Sequence, residues 1–181
     1  MDDWTQERVC EFQDLNGLIL TRWRGIELAL RESGPNGVPQ FRDPKVPFLQ
    51  LLVLYLDFEG ERTRQIEAYQ DDDQWGLFLG SGSFESFESI EGYRAVSLPT
   101  YPTGPVSQVE ITPSSLGTIQ RVAFSIGGTP TLVVAGETEE HDTGYEFRLS
   151  GSEVLLFADP ADFEKVNWEP EWPNCPGGGV V

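Results

Sequence analysis

The sequence is short of the residues that most metal and redox sites use. Its 181 residues include one histidine, two cysteines and one methionine. Neither Cys10 nor Cys175 belongs to a C-x-x-C pair, so the spacing favours two unpaired thiols in a reducing compartment. His141 is flanked by acids, but neighbours in one loop rarely converge on a metal ion without ligands from elsewhere. We therefore predict neither a metal nor a cofactor.

Nucleotide-binding and nucleophile motifs are missing as well. The chain contains no phosphate-binding glycine loop and no G-x-S-x-G elbow. Residues 71–76 begin like a calcium loop, but Trp75 stands at the fifth position and Gly82 where a bidentate glutamate is required. Two carboxylates can hydrolyse a glycosidic bond, yet sequence spacing selects no pair among the acids. We therefore predict that the protein is not an enzyme. The alternative is a carboxylate-based hydrolase.

Basic residues and long apolar runs are scarce. Twelve Lys and Arg residues face thirty Asp and Glu residues, which gives a formal net charge of −18. Direct binding of nucleic acid is disfavoured, because phosphate contacts need basic patches. No apolar run has the length of a membrane span, and the acidic first residues do not resemble a signal peptide. We expect a soluble, cytoplasmic protein with no membrane contact.

The acids are clustered along the chain. Residues 57–91 carry a net charge of −8 and residues 137–181 carry −9, whereas residues 1–56 carry −2 and residues 92–136 carry +1. General solubility would spread the acids more evenly, so the clustering favours a directed electrostatic surface. The other interpretation is that acidic turns accumulated where the fold has loops.

The most apolar stretch, residues 48–58, predicts the central strand of the fold. Its apolar side chains occupy positions of both parities, as in a strand covered on both faces. Pro47 before it and a turn around Gly60 after it favour strand over helix. Residues 63–69 predict its hairpin partner, and residues 74–79 predict a strand that returns from the acidic tip at residues 71–73.

Short segments separated by turn residues predict the rest of the fold. Asn16 and Gly17 predict a tight turn between antiparallel strands, and Gly25 predicts a bulge or bend. A short helix is predicted at residues 159–165, with Asp159 as its cap. Further strands are predicted at residues 7–15, 18–23, 26–31, 93–98, 106–112, 118–126, 131–135, 144–149 and 153–157.

Together these segments predict a mainly β protein. The predicted fold is a single-domain antiparallel sandwich, barrel or strongly coiled sheet of about 9–11 strands with one or two short helices. Residues 1–166 form the domain, and residues 167–181 form an irregular tail rich in Trp, Pro and Gly. Packing of Trp168 and Trp172 against the domain is favoured over exposure, because large rings usually bury most of their area.

The candidate binding residues are acids and rings from the acidic segments. Acids accelerate encounter with a basic protein, and rings beside them supply holding energy. The predicted partner-binding residues are Asp71, Asp72, Asp73, Trp75, Phe84, Glu85, Phe87, Glu88, Glu91, Glu139, Glu140 and Asp142.

In size, acidity, β content and the absence of a catalytic constellation, the chain is similar to antitoxin-like immunity proteins of bacterial toxin systems. The resemblance is one of general character, and it implies an inhibitor that occludes the active cleft of a basic toxin such as a nuclease. A carbohydrate- or other ligand-binding β module is an alternative, with Trp75, Trp168 or Trp172 as an exposed platform. The partner's identity, the oligomeric state and any contact between Cys10 and Cys175 stay open.

Overall fold

The protein is mainly β, as predicted. The computed structural model describes residues 3–34, 36–60, 62–71, 74–84, 92–141 and 144–169. Within these residues an α-helix, α1 (Asp3–Gln13), opens the chain and a 3₁₀ helix (Pro160–Lys165) lies near its end. The eleven strands are β1 (Ile19–Leu28), β2 (Leu49–Phe58), β3 (Arg62–Asp71), β4 (Gln74–Ser81), β5 (Tyr93–Ser97), β6 (Gly104–Pro113), β7 (Ile119–Ile126), β8 (Thr129–His141), β9 (Gly144–Leu149), β10 (Glu153–Phe157) and β11 (Trp168–Glu169).

Six of the strands form a closed circuit of antiparallel pairings. β1 pairs with β2 and β6, β7 lies between β6 and β8, and β10 joins β8 back to β2. The remaining strands extend this circuit: β3 and β4 continue from β2, β9 and β11 from β8, and β5 pairs with β1. Because β10 pairs on both sides, it is the strand that completes the circuit.

The central strand is β2, and its pattern has one interruption. Leu51 and Leu54 are fully buried, whereas Leu52 is 43% exposed. The register of β1 on β2 shifts at this point, since Ile26 pairs with Val53 but Glu27 pairs with Leu51. Leu52 is therefore the extra residue of a bulge, which explains why an apolar side chain here faces solvent.

Gly25 does not mark a bulge, so that interpretation is wrong. β1 passes through Gly25 without a break, and the glycine pairs regularly with Leu54 and Val96. A Cβ on Gly25 would lie 3.1 Å from both the Leu51 Cδ2 atom and the Val53 carbonyl oxygen. The glycine is thus explained by the close approach of β2.

The prediction of a strand at residues 7–15 is also wrong, because the chain there forms α1. Thr5 and Phe12 are buried on the helix, and Leu15 is buried just after it; spacings of seven and three residues suit one helical face but would alternate between the two faces of a strand. Gly17 adopts φ +83° and donates its N–H to the Val106 carbonyl at 2.9 Å. The glycine turn therefore ends a helical segment instead of joining two strands.

Two hydrophobic clusters lie on opposite faces of β8 and β10. Val154 and Leu156 belong to the larger cluster, whereas Leu155 and Phe157 belong to the smaller one, as alternation along a strand requires. Trp168 packs against the smaller cluster, with its ring centroid 5.0 Å from that of Phe163. In the part of the chain that is described, no helix is long and apolar enough to cross a membrane.

The short helix at the end of the domain forms as predicted. Asp159 caps it by accepting the Ala161 N–H at 2.9 Å, and Pro160 stands in its first turn. Trp168 and Glu169, at the start of the predicted tail, pair in parallel with Phe147 and Arg148 as β11. Residues 170–181 lie outside the described residues.

Candidate functional site

Two hairpins carry most of the predicted partner-binding residues. One joins β3 to β4, where Asp71 pairs with Gln74, and the other joins β8 to β9, where His141 pairs with Gly144. β3 and β10 both run antiparallel to β2, whereas β8 runs antiparallel to β10. From the start of β10 the two hairpins therefore extend in opposite directions.

The described residues include only part of the predicted set. Trp75, Phe84, Glu139 and Glu140 are described with their side chains, and Asp71 is the last residue of β3. The assignment of the others stays a prediction, since they lie outside the described residues: Asp72, Asp73, Glu85, Phe87, Glu88, Glu91 and Asp142.

The β3–β4 hairpin is anchored on β7 near Trp75. Trp75 is half-buried, and its carbonyl accepts a hydrogen bond from the Thr118 hydroxyl at 3.2 Å. A Cβ on Gly76 would lie 2.7 Å from the Thr118 Cβ, so the next residue can only be glycine at this approach. These contacts hold the hairpin backbone at Trp75, the residue that follows the acidic tip closely in the sequence.

Phe84 is held by a stacked cation. Its ring lies 4.4 Å from the Arg24 guanidinium carbon and makes an edge-to-face contact with Tyr55 at 5.1 Å. Arg24 in turn donates to Asp57 at 2.6 Å. Phe84 therefore directly precedes residues 85–91 in the sequence, and its ring stacks on an arginine whose charge is compensated by Asp57.

Asp57 is the centre of a hydrogen-bonded network that the sequence analysis missed. Arg22 donates to its Oδ2 atom at 2.7 Å, and Thr63 donates to its Oδ1 atom at 2.8 Å, in addition to the bond from Arg24. Burial of the carboxyl raises its pKa, but the hydrogen bonds from the two arginines and Thr63 outweigh this effect, so the net pKa of Asp57 is lowered. The available signal was the alternation of arginines on β1 opposite an acid on β2.

Glu27 is the centre of a second network, on the face of β1 opposite to that of Arg22 and Arg24. Its side chain has no exposed surface, and its carboxylate accepts hydrogen bonds from Arg42 and from Arg94, the latter at 2.8 Å. The Arg94 guanidinium also lies 4.1 Å from the centre of the Phe41 ring. The two arginines thereby compensate a charge that burial alone would make costly.

An open groove with a volume of ≈ 440 Å³ lies beside Glu27. Its lining includes Arg42, Tyr101 and Phe48, together with Pro44 and Pro47. Burial raises the pKa of Tyr101 to about 12, so its hydroxyl stays protonated over the physiological range. The guanidinium of Arg42 already binds Glu27, so the groove offers mainly apolar contacts.

The β8–β9 hairpin brings Glu139, His141 and Glu146 together, with one ligand atom of each within 4.8 Å of the others. The imidazole Nε2 lies 3.1 Å from a Glu146 oxygen. Arg148, however, lies 2.9 Å from the Glu139 carboxylate and 3.6 Å from that of Glu146. A metal ion would have to displace this guanidinium, so the arrangement is an exposed ion-pair network.

Glu140 faces the other side of the hairpin, where it also meets a cation. Its carboxylate lies 3.3 Å from Arg31, whose guanidinium lies 5.0 Å from the centre of the Tyr145 ring. The Tyr145 hydroxyl donates to Asp43 at 3.2 Å. The hydrogen bond from the backbone N–H of Lys45 is the main cause that lowers the pKa of Asp43. The acids of this hairpin are thus largely compensated.

Most of the basic residues form salt bridges within the described part of the chain, whereas one acidic stretch of the sequence contains no basic residue. All twelve basic side chains belong to the described part of the chain, and eight of them form salt bridges there: Arg8, Arg22, Arg24, Arg31, Arg42, Arg94, Arg148 and Lys165. Seven of the thirty acids lie within residues 65–93, at positions 67, 71–73, 85, 88 and 91. This stretch contains no lysine or arginine, so it carries −7 of the net charge of −18.

Comparison with protein-family models, with curated proteins and with solved structures finds no match for the chain. Function is therefore argued from the chain's own residues. The features that bear on it are the two compensated buried acids, the two anchored rings and the acids that no salt bridge of the described part engages.

Proposed function

We propose that the protein binds a basic protein partner through its acidic connections and acts as an inhibitor or immunity protein that covers the active cleft of a basic toxin. The observation that carries the proposal is the division of charge. Eight of the twelve cations form salt bridges with acids of the described part, while residues 65–93 carry a charge of −7 without any lysine or arginine. An excess of one sign in such segments attracts a partner of opposite sign and accelerates encounter.

Anchored rings next to these segments supply the contact area that holds a complex. Trp75 stands directly after the acidic tip at residues 71–73, and Phe84 stands directly before the acidic segment at residues 85–91. Both side chains are half-buried; the backbone carbonyl of Trp75 is held by Thr118, and the ring of Phe84 stacks on Arg24. Aromatic residues that are already ordered lose little conformational entropy on binding, which makes them good anchors.

A cytoplasmic location is part of the proposal. Cys10 is exposed and forms no disulfide with any described residue, which is compatible with a reducing compartment. A carbohydrate platform at Trp168 has less support, because that ring packs between Phe48 and Phe163. The β3–β4 tip is therefore the first region to test.

The test is the triple substitution Asp71→Lys, Asp72→Lys and Asp73→Lys. The immobilised wild-type protein is used to capture partners from an extract of the source organism, and the rate constants with each recovered protein are then measured. We expect a basic partner, an association rate that falls with salt, and a further loss of about tenfold or more in that rate for the triple variant. Addition of the wild-type protein should inhibit the partner stoichiometrically.

The matched control reverses three exposed acids elsewhere, with Asp14→Lys, Glu32→Lys and Glu164→Lys. It changes the net charge by the same amount, so it separates a local effect from a general one. Equal losses in the two variants, or a partner that is acidic, would contradict the proposed role of the β3–β4 tip.

A further inference from the structure

Glu153 stands at the point where the closed circuit of strands is completed. It is the first residue of β10 and pairs with Gly136 of β8. The residues that follow pair with β2, where Leu155 is opposite Gln50. Any change at this carboxyl therefore acts on the strand that joins β2 to β8.

The carboxyl of Glu153 has fewer partners than its burial requires. It accepts the N–H of Thr138 and is hydrogen-bonded to the Gln50 side chain. Its Oε2 atom is nevertheless buried without a partner, and so is the Oε1 atom of Gln50. Both atoms are acceptors when the carboxyl is ionised, so neither can satisfy the other. Buried acceptors without donors cost free energy, which makes this arrangement unfavourable for a carboxylate.

A single proton resolves this conflict. A protonated carboxyl has an O–H that would supply the donor that the Oε1 atom of Gln50 lacks, while the existing hydrogen bond between the Gln50 side chain and the carboxyl is kept. The pair then has two hydrogen bonds and no orphan oxygen. We propose that Glu153 is a neutral acid paired in this way with Gln50, and that its ionisation loosens the seam between β2 and β10 as the pH rises. The inference concerns regulation of the fold and is independent of the proposed partner.

The charged groups around Glu153 agree with a neutral acid. Among the described residues no lysine or arginine lies within salt-bridge distance of its carboxyl. β8 contributes Glu137, a like charge whose nearest cation is Arg148 of β9 at 3.6 Å. β3 contacts β10 and carries Glu67 and Tyr69 near its end, whereas β2 contributes the neutral Gln50. None of these elements supplies a cation to the buried carboxyl.

The expected range of pH follows from the same surroundings. Burial is the largest cause that raises the pKa of Glu153, from 4.5 to about 7, and the charge of Glu137 raises it further, against the opposing bonds from Thr138 and Gln50. The pKa is higher in the folded than in the unfolded state. The stabilising contribution of the protonated pair is therefore complete below pH 4.5 and is lost as the pH rises through about 7.

Hydrogen exchange of the β2 and β10 amides tests this proposal on the full chain. After correction for intrinsic exchange rates, we expect the protection of Leu51, Val154 and Leu155 to fall about tenfold between roughly pH 6 and pH 8.5. Glu153→Gln should abolish this dependence, because its amide donates to Gln50 at every pH. Equal pH dependence in the wild type and in Glu153→Gln would overturn the proposal.

Glu137→Gln serves as the matched control, because it removes an acid near the seam without touching the pair. It should keep the pH dependence and shift its midpoint to lower pH, since a like charge has been removed. Carbon-13 NMR of the Glu153 carboxyl in the wild-type protein gives an independent readout if a variant does not fold. A carboxyl that titrates near its ordinary value would refute the assignment, whereas a midpoint near neutrality would support it.

Discussion

Glu27 is a fully buried acid and Glu153 is a half-buried acid with one buried carboxyl oxygen, and the strand beside each of them decides its chemistry. The cross-strand neighbour of Glu27 on β5 is Arg94, whereas the neighbour of Glu153 on β8 is Gly136. Glu27 therefore has a guanidinium within hydrogen-bond distance, while Glu153 has only the amide of Gln50 and the N–H of Thr138. The same side chain acts as an anion in one region and, as we propose, as a neutral hydrogen-bond donor in the other.

Asp57 extends the comparison, because it resembles Glu27 in having two arginines. Arg22 is its cross-strand neighbour, and Arg24 reaches it from two residues along the same strand. Four of the chain's few cations are thus committed to two acids beside β1. The packing of β1 and β2 therefore uses four of the twelve cations, while residues 65–93 contain none.

The largest expected effect is the loss of both arginines at Glu27. Arg42→Ala with Arg94→Ala leaves a fully buried carboxylate without a cation, so we expect the free energy of unfolding to fall by about 3–5 kcal/mol. Chemical denaturation at neutral pH measures this change. The control, Arg62→Ala with Lys165→Ala, removes two exposed cations and should cost about 1 kcal/mol or less.

A further substitution separates charge from packing at this site. Adding Glu27→Gln to the double variant removes the buried charge and should restore part of the lost stability. If the double variant is as stable as its control, the two arginines are not needed to compensate the negative charge of Glu27.

A smaller effect, about 2 kcal/mol, is expected for Asp57→Asn at neutral pH, because hydrogen bonds to a charged acceptor are lost. The pKa of Asp57 is lowered in the folded protein from its ordinary value of 3.8. Its stabilising contribution is therefore present above pH 3.8 and is lost as the pH falls below that value. Wild type should lose stability on acidification more steeply than Asp57→Asn, in thermal unfolding followed between neutral and acidic pH.

Asp57 should lower the stability of the protein as the pH falls below 3.8, whereas Glu153 should lower it as the pH rises through about 7. The substitution Asp14→Asn offers a control at an exposed acid that forms no salt bridge in the described part of the chain. It should leave the loss of stability at acidic pH unchanged. An Asp57→Asn profile that parallels the wild type would mean that the ion pairs of Arg22 and Arg24 do not favour the ionised state.

The β2–β3–β4 meander was predictable because its signals are local. Alternating apolar residues and the turn at Gly60 specify each strand within a short window, and the observed bounds differ from the predicted ones by a few residues. α1 was missed because a weak alternation over residues 7–15 was given more weight than the spacing of Phe12 and Leu15, which are three residues apart and suit a helical face. The short window does not contain the β-sheet surface on which that helix packs.

Contacts that join distant segments could not be predicted. The closure of the circuit depends on β10 meeting β2, about a hundred residues earlier in the chain, and no local pattern encodes that pairing. The pairs Glu27–Arg94 and Glu153–Gln50 depend on the same register. One local signal was available: Glu27 shares the parity of the buried Trp23, and an acid at a buried position of a strand indicates a partner from elsewhere.

The smallest effect is expected at the exposed network of the β8–β9 hairpin. Glu139→Gln with Glu146→Gln removes two of the three acids beside Arg148 and keeps Glu137, but solvent screens these charges and no buried group is left unpaired. We expect the free energy of unfolding to change by about 0.5 kcal/mol or less, measured by chemical denaturation at low and high salt. Glu7→Gln with Glu164→Gln removes two exposed acids elsewhere and serves as the control. A loss of stability as large as that expected when Glu27 loses its two arginines would show that exposed and buried acids contribute equally. Burial of the acids would then not explain why so many of the chain's arginines lie beside β1.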